Sequence, residues 1–154
     1  MTKKHRVVQV GCGGRSNDHI RGRLANAGRF EIVALCDLDQ EKMKETARAR
    51  SIAPALYTDA DRMLAETKPD LFCFSTHPDV RLAMVELAAK HKVKALAFEK
   101  PMARSLEEAR QVTEICRLVA STIARAFSSW KDSARCGPRR RAGSTDRIGR
   151  PLGG

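Results

Sequence analysis

The sequence V-G-C-G-G-R-S at residues 10–16 decides how the rest of the chain is interpreted. It follows a β-branched run, His5–Val10, which predicts a first strand. The glycines form a G-x-G-x-x-S variant of the fingerprint that joins a strand to a helix in dinucleotide-binding folds. Gly11 would allow the tight turn, Gly13 would let the backbone approach a pyrophosphate, and Ser16 is small enough for close helix–strand packing.

An acidic residue follows the second predicted strand. Asp37 lies 26 positions beyond Gly11, where a carboxylate can accept hydrogen bonds from an adenosine ribose. Asp39 fits the N-cap of a helix that starts at Gln40, which leaves Asp37 for the ribose. The alternatives are a glycine-rich turn that binds nothing and a solvated turn at residues 37–39.

Short apolar runs alternate with amphipathic stretches up to residue 116. The predicted strands are residues 5–10, 31–36, 56–58, 71–75 and 93–98. The predicted helices are residues 17–27 with Gly28 as C-cap, 40–50, 59–66, 78–90 with Val80, Met84, Leu87 and Ala88 on the apolar face, and a last helix opened by a capping box at Ser105–Glu108. This order predicts an α/β fold, a Rossmann-like doubly wound parallel sheet with helices on both faces.

Polar clusters also follow the fourth and fifth predicted strands. They are Ser75-Thr76-His77-Pro78 and Glu99-Lys100-Pro101. Ligands of open parallel sheets bind outside the carboxyl ends of the strands, so four strand ends should share one crevice.

These segments resemble the N-terminal domain of the Gfo/Idh/MocA oxidoreductases, named after glucose–fructose oxidoreductase, inositol dehydrogenase and a rhizopine-catabolism protein. The resemblance rests on V-G-C-G-G-R-S at 10–16, C-D-L-D at 36–39, S-T-H-P at 75–78 and F-E-K-P-M-A at 98–103. It covers about residues 5–116, and E-K-P is its most specific part.

The resemblance implies NAD(P)-dependent oxidation of a hydroxyl group on a sugar, polyol or related compound. The positions that it assigns to the cofactor are Gly11, Cys12, Gly13, Gly14, Arg15, Ser16, Asp37, Ser75, Thr76, Pro78, Glu99 and Lys100. In the family, the lysine that matches Lys100 also reaches the substrate, so Lys100 is the one catalytic residue expected here. The peptide bond that matches Lys100–Pro101 is often cis.

The chain also departs from the family pattern. Many relatives carry a histidine near position 81, where this chain has Arg81. The family's second domain, which supplies the main acid–base residues and most of the substrate pocket, has no counterpart in the sequence, so we expect the chain to be catalytically incomplete. His19 is expected to pack near the glycine loop rather than to act as a base.

Composition excludes several classes of protein. Apolar residues make up 42% of the chain and charged residues 31%, which suits a packed core. No apolar run approaches the roughly 18 residues of a membrane span, and no segment resembles a signal peptide. The five cysteines are 20 to 43 positions apart, which supports neither a disulfide framework nor a metal site and favours the cytoplasm.

The net charge of +11 comes mainly from the end of the chain. Residues 1–116 hold 20 Lys and Arg against 16 Asp and Glu, whereas residues 117–154 hold 9 against 2. We therefore expect a dinucleotide-binding domain at 1–116 and an irregular Arg/Gly-rich tail at 117–154, either an out-of-frame sequence or a native basic extension. No aromatic residues cluster with the arginines, which disfavours a nucleic-acid-binding function.

NAD is the expected cofactor rather than NADP, because Asp37 would face the 2′-phosphate of NADP. The leading function is a domain of a sugar or polyol oxidoreductase, and the alternative is a non-catalytic dinucleotide sensor. The sequence predicts no membrane partner and leaves a homo-oligomer open.

Overall fold

The computed structural model describes residues 3–119 and 122–125. Its strands are β1 (His5–Val10), β2 (Phe30–Cys36), β3 (Ala55–Tyr57), β4 (Leu71–Phe74), β5 (Ala95–Phe98) and β6 (Thr122–Arg125). Its helices are α1 (Gly14–Leu24), α2 (Gln40–Ala49), α3 (Ala60–Thr67), α4 (Arg81–Lys90) and α5 (Leu106–Val119), with a 3₁₀ turn at Pro78–Val80.

The six strands form one parallel sheet in the order β3-β2-β1-β4-β5-β6. The chain moves outward from β1 to β3, returns to β4 beside β1, and then moves outward in the other direction. This confirms the predicted doubly wound fold. The reversal between β1 and β4 is the point at which such sheets open a crevice for a ligand.

Apolar side chains cover both faces of the sheet. On one face, Ala34 and Cys36 of β2 belong to a cluster that includes residues from α3, α4 and α5. On the other face, Leu35 packs with Ile20 of α1 and Met43 of α2. The alternation along β2 places helices on both sides of the sheet, which explains why β4 and β5 are apolar throughout.

Helix α1 begins earlier than its sequence predicts. The expected range was 17–27, but the helix starts at Gly14 and ends at Leu24, with Ala25 rather than Gly28 as C-cap. Glycines are poor helix formers, so pattern alone did not place Gly14 inside a helix. The glycine loop therefore leads directly into the first helical turn.

Helix α4 differs from its prediction at its start and in its buried face. Residues Pro78–Val80 form a 3₁₀ turn instead of the first α-helical turn, and Val80 is exposed. The buried positions are Arg81, Val85 and Ala88. The prediction was wrong at Val80, because the 3₁₀ turn changes the direction of the side chains there. Of the other predicted positions, Ala88 is buried, and Met84 and Leu87 are half-buried against the core.

The expected domain boundary at residue 116 falls inside α5. This helix continues to Val119, and β6 then pairs with β5 in the same parallel direction. The fold therefore extends to Arg125, past the predicted start of the tail. The rest of the predicted tail lies outside the described residues. Within the described part of the chain, no helix is long and apolar enough to cross a membrane.

Candidate functional site

Four strand ends meet at one edge of the sheet, as the topology requires. Gly11 N–H donates to the carbonyl oxygen of Cys36 at 2.8 Å, which joins the end of β1 to the end of β2. Ser75 N–H donates to the carbonyl oxygen of Val10 at 3.0 Å, which joins β1 to β4. His19 of α1 reaches the end of β5 by a hydrogen bond to Glu99. The structure therefore brings together the polar clusters that the sequence predicted at this edge.

The glycine loop depends on two glycines for different reasons. Gly11 has φ +83°, and a Cβ built on it would lie 2.9 Å from the carbonyl oxygen of Ser75. Gly13 is the N-cap of α1, and a Cβ there would have no heavy atom of the described chain within 4 Å. Gly11 is thus required by the backbone, whereas Gly13 leaves open space above the start of the helix.

The first turn of α1 is free to receive an anion. Among the described residues, no side chain caps the helix at Gly13. The amide groups of the first turn have no partner within the helix, and its dipole favours negative charge. Gly14 and Arg15 are exposed in this turn, and Arg15 lies 3.6 Å from Asp18 and 4.0 Å from Glu99.

Ser16 and Cys12 support the loop from inside. Ser16 is buried, and its hydroxyl donates to the carbonyl oxygen of Gly13 at 2.6 Å, in agreement with a packing role. Cys12 is also buried, and burial together with the nearby Asp37 carboxylate raises the pKa of its thiol to about 12. The thiol is therefore neutral at physiological pH.

Cys12 should react very slowly with iodoacetamide despite its place in the loop. A pKa of about 12 leaves roughly one thiol in ten thousand ionised at pH 8, and only the thiolate is a good nucleophile. Peptide mass spectrometry of the folded and urea-unfolded chain measures the labelling rate at this position. Rapid labelling of Cys12 in the folded chain would contradict the burial described here.

Asp37 is bonded to the glycine loop itself. Its Oδ2 accepts from Cys12 N–H at 2.7 Å, and its Oδ1 accepts from Asp39 N–H at 3.0 Å. Asp39 caps α2 by accepting from the amides of Glu41 and Lys42, as its sequence position predicts. The structure thus separates the two acids, and the Asp37 carboxylate lies beside the loop with lone pairs left for further donors.

The end of β4 contributes Ser75, Thr76 and Pro78. The hydroxyl of Ser75 accepts a hydrogen bond of 3.4 Å from the Gln9 amide. The Thr76 hydroxyl is buried and has no partner in the described part of the chain. Pro78 opens the 3₁₀ turn that leads into α4. A buried hydroxyl without a partner is costly, so Thr76 offers an unused donor and acceptor in this region.

The end of β5 presents a buried acid beside an exposed lysine. Glu99 is 7% exposed, and its Oε1 lies 2.6 Å from Nε2 of His19. The side chain of Lys100 is exposed, and the peptide bond between Lys100 and Pro101 is cis, as the resemblance implied. Lys100 is therefore available at the mouth of the crevice, whereas Glu99 is fixed within the protein.

Three features of the site were absent from the sequence interpretation. His19 contacts Glu99, which is 80 positions away, so no local pattern could reveal the pair. Arg81 is 1% exposed and donates to backbone oxygens at two strand ends. Its spacing from Val85 and Ala88 places the three residues on one face of a helix, and that spacing could have indicated its burial. Leu38, next to Asp37, is 90% exposed at the same edge, which is unusual for a large apolar side chain.

The residues present fit a dinucleotide in three respects. The open space at Gly13, the uncapped first turn of α1 and the acid beside the loop match a pyrophosphate and a ribose. Within residues 3–119 and 122–125, no cluster of three or more histidine, cysteine or acidic residues is arranged to hold a metal ion.

Comparison with known proteins gives relatives that match about three quarters of this chain. The D-apiose dehydrogenase of Paraburkholderia graminis is 35% identical over 114 residues, covering 74% of this chain and 30% of that protein. An oxidoreductase from Agrobacterium radiobacter, solved in complex with NAD+, L-tartaric acid and magnesium, has 27% identity and a TM-score of 0.69, and the match covers 76% of this chain and 33% of that one. The chain therefore spans about a third of the length of these proteins.

A further solved structure shares the fold at lower identity. The WlbA dehydrogenase of Bordetella pertussis, in complex with NADH and UDP-GlcNAcA, has 23% identity and a TM-score of 0.73, covering 80% of this chain and 37% of that one. The family model for the Gfo/Idh/MocA proteins, an oxidoreductase family with an NAD-binding Rossmann fold, matches residues 5–125. This match includes β6, which the motif resemblance had left out. Since the match covers most of the chain and the fold agrees, the chain belongs to the Gfo/Idh/MocA oxidoreductases and contains their NAD-binding Rossmann domain.

Proposed function

We propose that the chain binds NAD(H) at the strand-end crevice as part of an oxidoreductase that acts on a hydroxyl group of a sugar, polyol or related compound. The observation that carries this proposal is the meeting of the glycine loop, Asp37, Thr76 and the Glu99–Lys100 segment at one edge of the sheet. The resemblance to a D-apiose dehydrogenase supports the substrate class.

The glycine loop would hold the pyrophosphate. Gly13 gives the phosphates close access to the backbone, and the first-turn amides of α1 would donate to them. Arg15 is exposed in the same turn and would add positive charge. Cys12 and Ser16 would act from within the loop, because both are buried.

Asp37 would accept hydrogen bonds from the adenosine ribose. Both of its oxygens already accept backbone amides, and these bonds hold the carboxylate in place before the ribose arrives. The exposed Leu38 would lie beside the adenosine, where contact with an aromatic base would remove its side chain from water. Binding would therefore bury apolar surface as well as satisfy polar groups.

The ends of β4 and β5 would flank the nicotinamide. Ser75, Thr76 and Pro78 would line the cleft on one side, and Glu99 and Lys100 would approach from the other. A bound NAD+ would supply the hydride acceptor for oxidation of the substrate's alcohol. The ammonium of Lys100 would hydrogen-bond the substrate oxygen and stabilise the negative charge that develops as its proton passes to a base, the role that the resemblance assigns to the family's second domain.

Lys100→Ala should reduce turnover by about a hundredfold or more, in whichever form of this protein turns over a hydroxylated substrate, while NAD+ affinity stays within a few-fold. The charge that Lys100 stabilises appears mainly on the reacting substrate and not on the bound cofactor. Lys90→Ala is the matched control, because Lys90 is also an exposed lysine but pairs with Asp61 on the protein surface. Lost NAD+ binding with unchanged turnover at saturating cofactor would show that the role assigned to Lys100 is wrong.

The proposed activity is tested by incubating the 154-residue chain with NAD+ and a panel of aldoses, polyols and inositols, and by following NADH absorbance. Because the chain is expected to be catalytically incomplete, we expect saturable NAD+ binding without turnover of any compound. NADH formation that depends on one of these compounds would support the oxidoreductase function and show that this expectation is wrong. A folded chain without saturable NAD+ binding would contradict the proposed function.

A further inference from the structure

We propose that Arg81 is a positioning residue that fixes the ends of β4 and β5 relative to each other and thereby places Lys100 at the nicotinamide end of the cleft. The inference rests on the proposed cofactor site. Arg81 is a buried cation that is 1% exposed. Its guanidinium group bonds to the backbone of the two segments that follow β4 and β5.

The contacts of the guanidinium group carry the argument. Its Nη1 donates to the carbonyl oxygen of Glu99 at 2.5 Å, and its Nη2 donates to the carbonyl oxygen of Thr76 at 2.9 Å. A planar guanidinium holds its donors in a fixed fork, so two bonds from one group also fix the separation of the two acceptors. Arg81 therefore sets the distance between the backbones that follow β4 and β5.

The surroundings of Arg81 keep its side chain in one place. The guanidinium carbon lies 5.8 Å from the centroid of the Phe98 ring, and that ring stacks on Phe74 with centroids 5.0 Å apart. The two rings belong to β5 and β4, the same strands whose ends the arginine joins. The cation thus lies against the aromatic pair and donates to the backbone just beyond it.

The charge of Arg81 is balanced inside the protein. Burial lowers the pKa of the guanidinium, and the carboxylates of Glu99 and Glu108 oppose that shift. Glu108 is itself buried, on α5. A buried cation is costly to retain unless it is paired and hydrogen-bonded. An apolar residue of the same volume would avoid the cost of burying a charge. The two hydrogen bonds that the guanidinium donates to backbone oxygens therefore best explain a charged residue at this position.

Glu99 is held by residues of two helices, α4 and α1. Arg81 on α4 bonds its backbone oxygen, and His19 on α1 bonds its carboxylate at 2.6 Å. Lys100 is the next residue along the chain, so its backbone position follows from that of Glu99. The glycine loop and Asp37, by contrast, have no described bond to Arg81 within residues 3–119. Loss of Arg81 should therefore disturb the nicotinamide end of the cleft more than the adenosine end.

Comparison of NADH with ADP-ribose measures this difference, because ADP-ribose has the pyrophosphate and adenosine but no nicotinamide. Both are titrated into the 154-residue chain and into Arg81→Met, by NADH fluorescence and by calorimetry. We expect Arg81→Met to raise the Kd for NADH about tenfold, because the segments after both β4 and β5 flank the nicotinamide and both lose their bond to the guanidinium, with the Kd for ADP-ribose changed by less than about twofold. Lys90→Met is the control, since Lys90 lies at the opposite end of the same helix, where its exposed side chain pairs with Asp61. It should change neither Kd.

Equal weakening of both ligands in a folded Arg81→Met chain, or no change in either, would overturn the inference. If Arg81→Met does not fold, Arg81→Lys takes its place with the same expected changes in Kd, because a single ammonium keeps the charge but cannot bridge both carbonyl oxygens.

The guanidinium NMR signals of Arg81 in the unaltered chain give an independent result. They should shift on addition of NADH and not of ADP-ribose, and the reverse would overturn the inference. An unaltered chain that binds neither ligand would contradict the proposed function itself, and the inference would fail with it.

Discussion

Replacing Gly11 by alanine is expected to lower the free energy of unfolding by about 2–4 kcal/mol and to abolish detectable NADH binding. The new methyl group would lie 2.9 Å from the carbonyl oxygen of Ser75, on a residue whose φ is +83°. Neither problem has a local solution, because the acceptor is backbone and the turn is fixed by the bond between Gly11 and Cys36. Urea unfolding followed by circular dichroism gives the stability, and fluorescence titration gives the binding.

Two other glycines provide matched controls for the same chemical change. Gly22 lies inside α1 with no heavy atom of the described chain near a built Cβ, so Gly22→Ala should stabilise the fold by about 0.5–1 kcal/mol. Gly13→Ala should lower stability by at most about 1 kcal/mol, because alanine is a poorer N-cap than glycine. It should also weaken NADH binding, because its methyl group would occupy the space assigned to the pyrophosphate. A Gly11→Ala chain as stable as the unaltered one would show that the turn is not built as described.

NAD+ should bind more tightly than NADP+ by about five- to a thousandfold. The 2′-phosphate of NADP+ would approach the Asp37 carboxylate, and like charges about 4 Å apart cost about 1–4 kcal/mol, depending on screening. Asp37 lies beside the glycine loop and is held there by the amides of Cys12 and Asp39. Calorimetric titration of the chain with both cofactors measures the ratio.

Variants at the two neighbouring acids separate charge from folding. Asp37→Asn should bring the two affinities closer together, and it should also lower stability, since one of the two backbone amides would lose its acceptor. Asp39→Asn should leave the ratio nearly unchanged, because asparagine is an equally good N-cap for α2. Tighter binding of NADP+ by the unaltered chain would contradict the role given to Asp37.

The order of the first five strands followed directly from the sequence, because buried parallel strands form short apolar runs that helices separate. The location of the crevice followed from topology, since the carboxyl ends of such strands share one edge. The residues at those ends were therefore predictable as a group. The contacts among them were not, because the pairs His19–Glu99 and Cys12–Asp37 join residues that are distant in sequence.

The predictions that failed did so for local reasons. The start of α1 was placed too late, because glycine lowers helix propensity even where a loop leads straight into a helix. The sequence did not place Arg81 in the core, because the predicted apolar face of the helix included Val80 instead. The 3₁₀ turn at Pro78–Val80 changes the direction of the side chains, so Arg81 is buried and Val80 is exposed. Strand β6 was not expected, since Thr122–Arg125 is short and mixed in character and its place comes from pairing with β5.

Titration of the 154-residue chain with NAD+ by calorimetry tests the central claim most directly. The strand-end crevice predicts saturable binding of one NAD+ per chain, displaced by ADP-ribose and weakened by Gly13→Ala in a chain that circular dichroism shows to be folded. A folded chain that gives no saturable binding, or binding that Gly13→Ala leaves unchanged, would contradict the assignment of the glycine loop as the dinucleotide site.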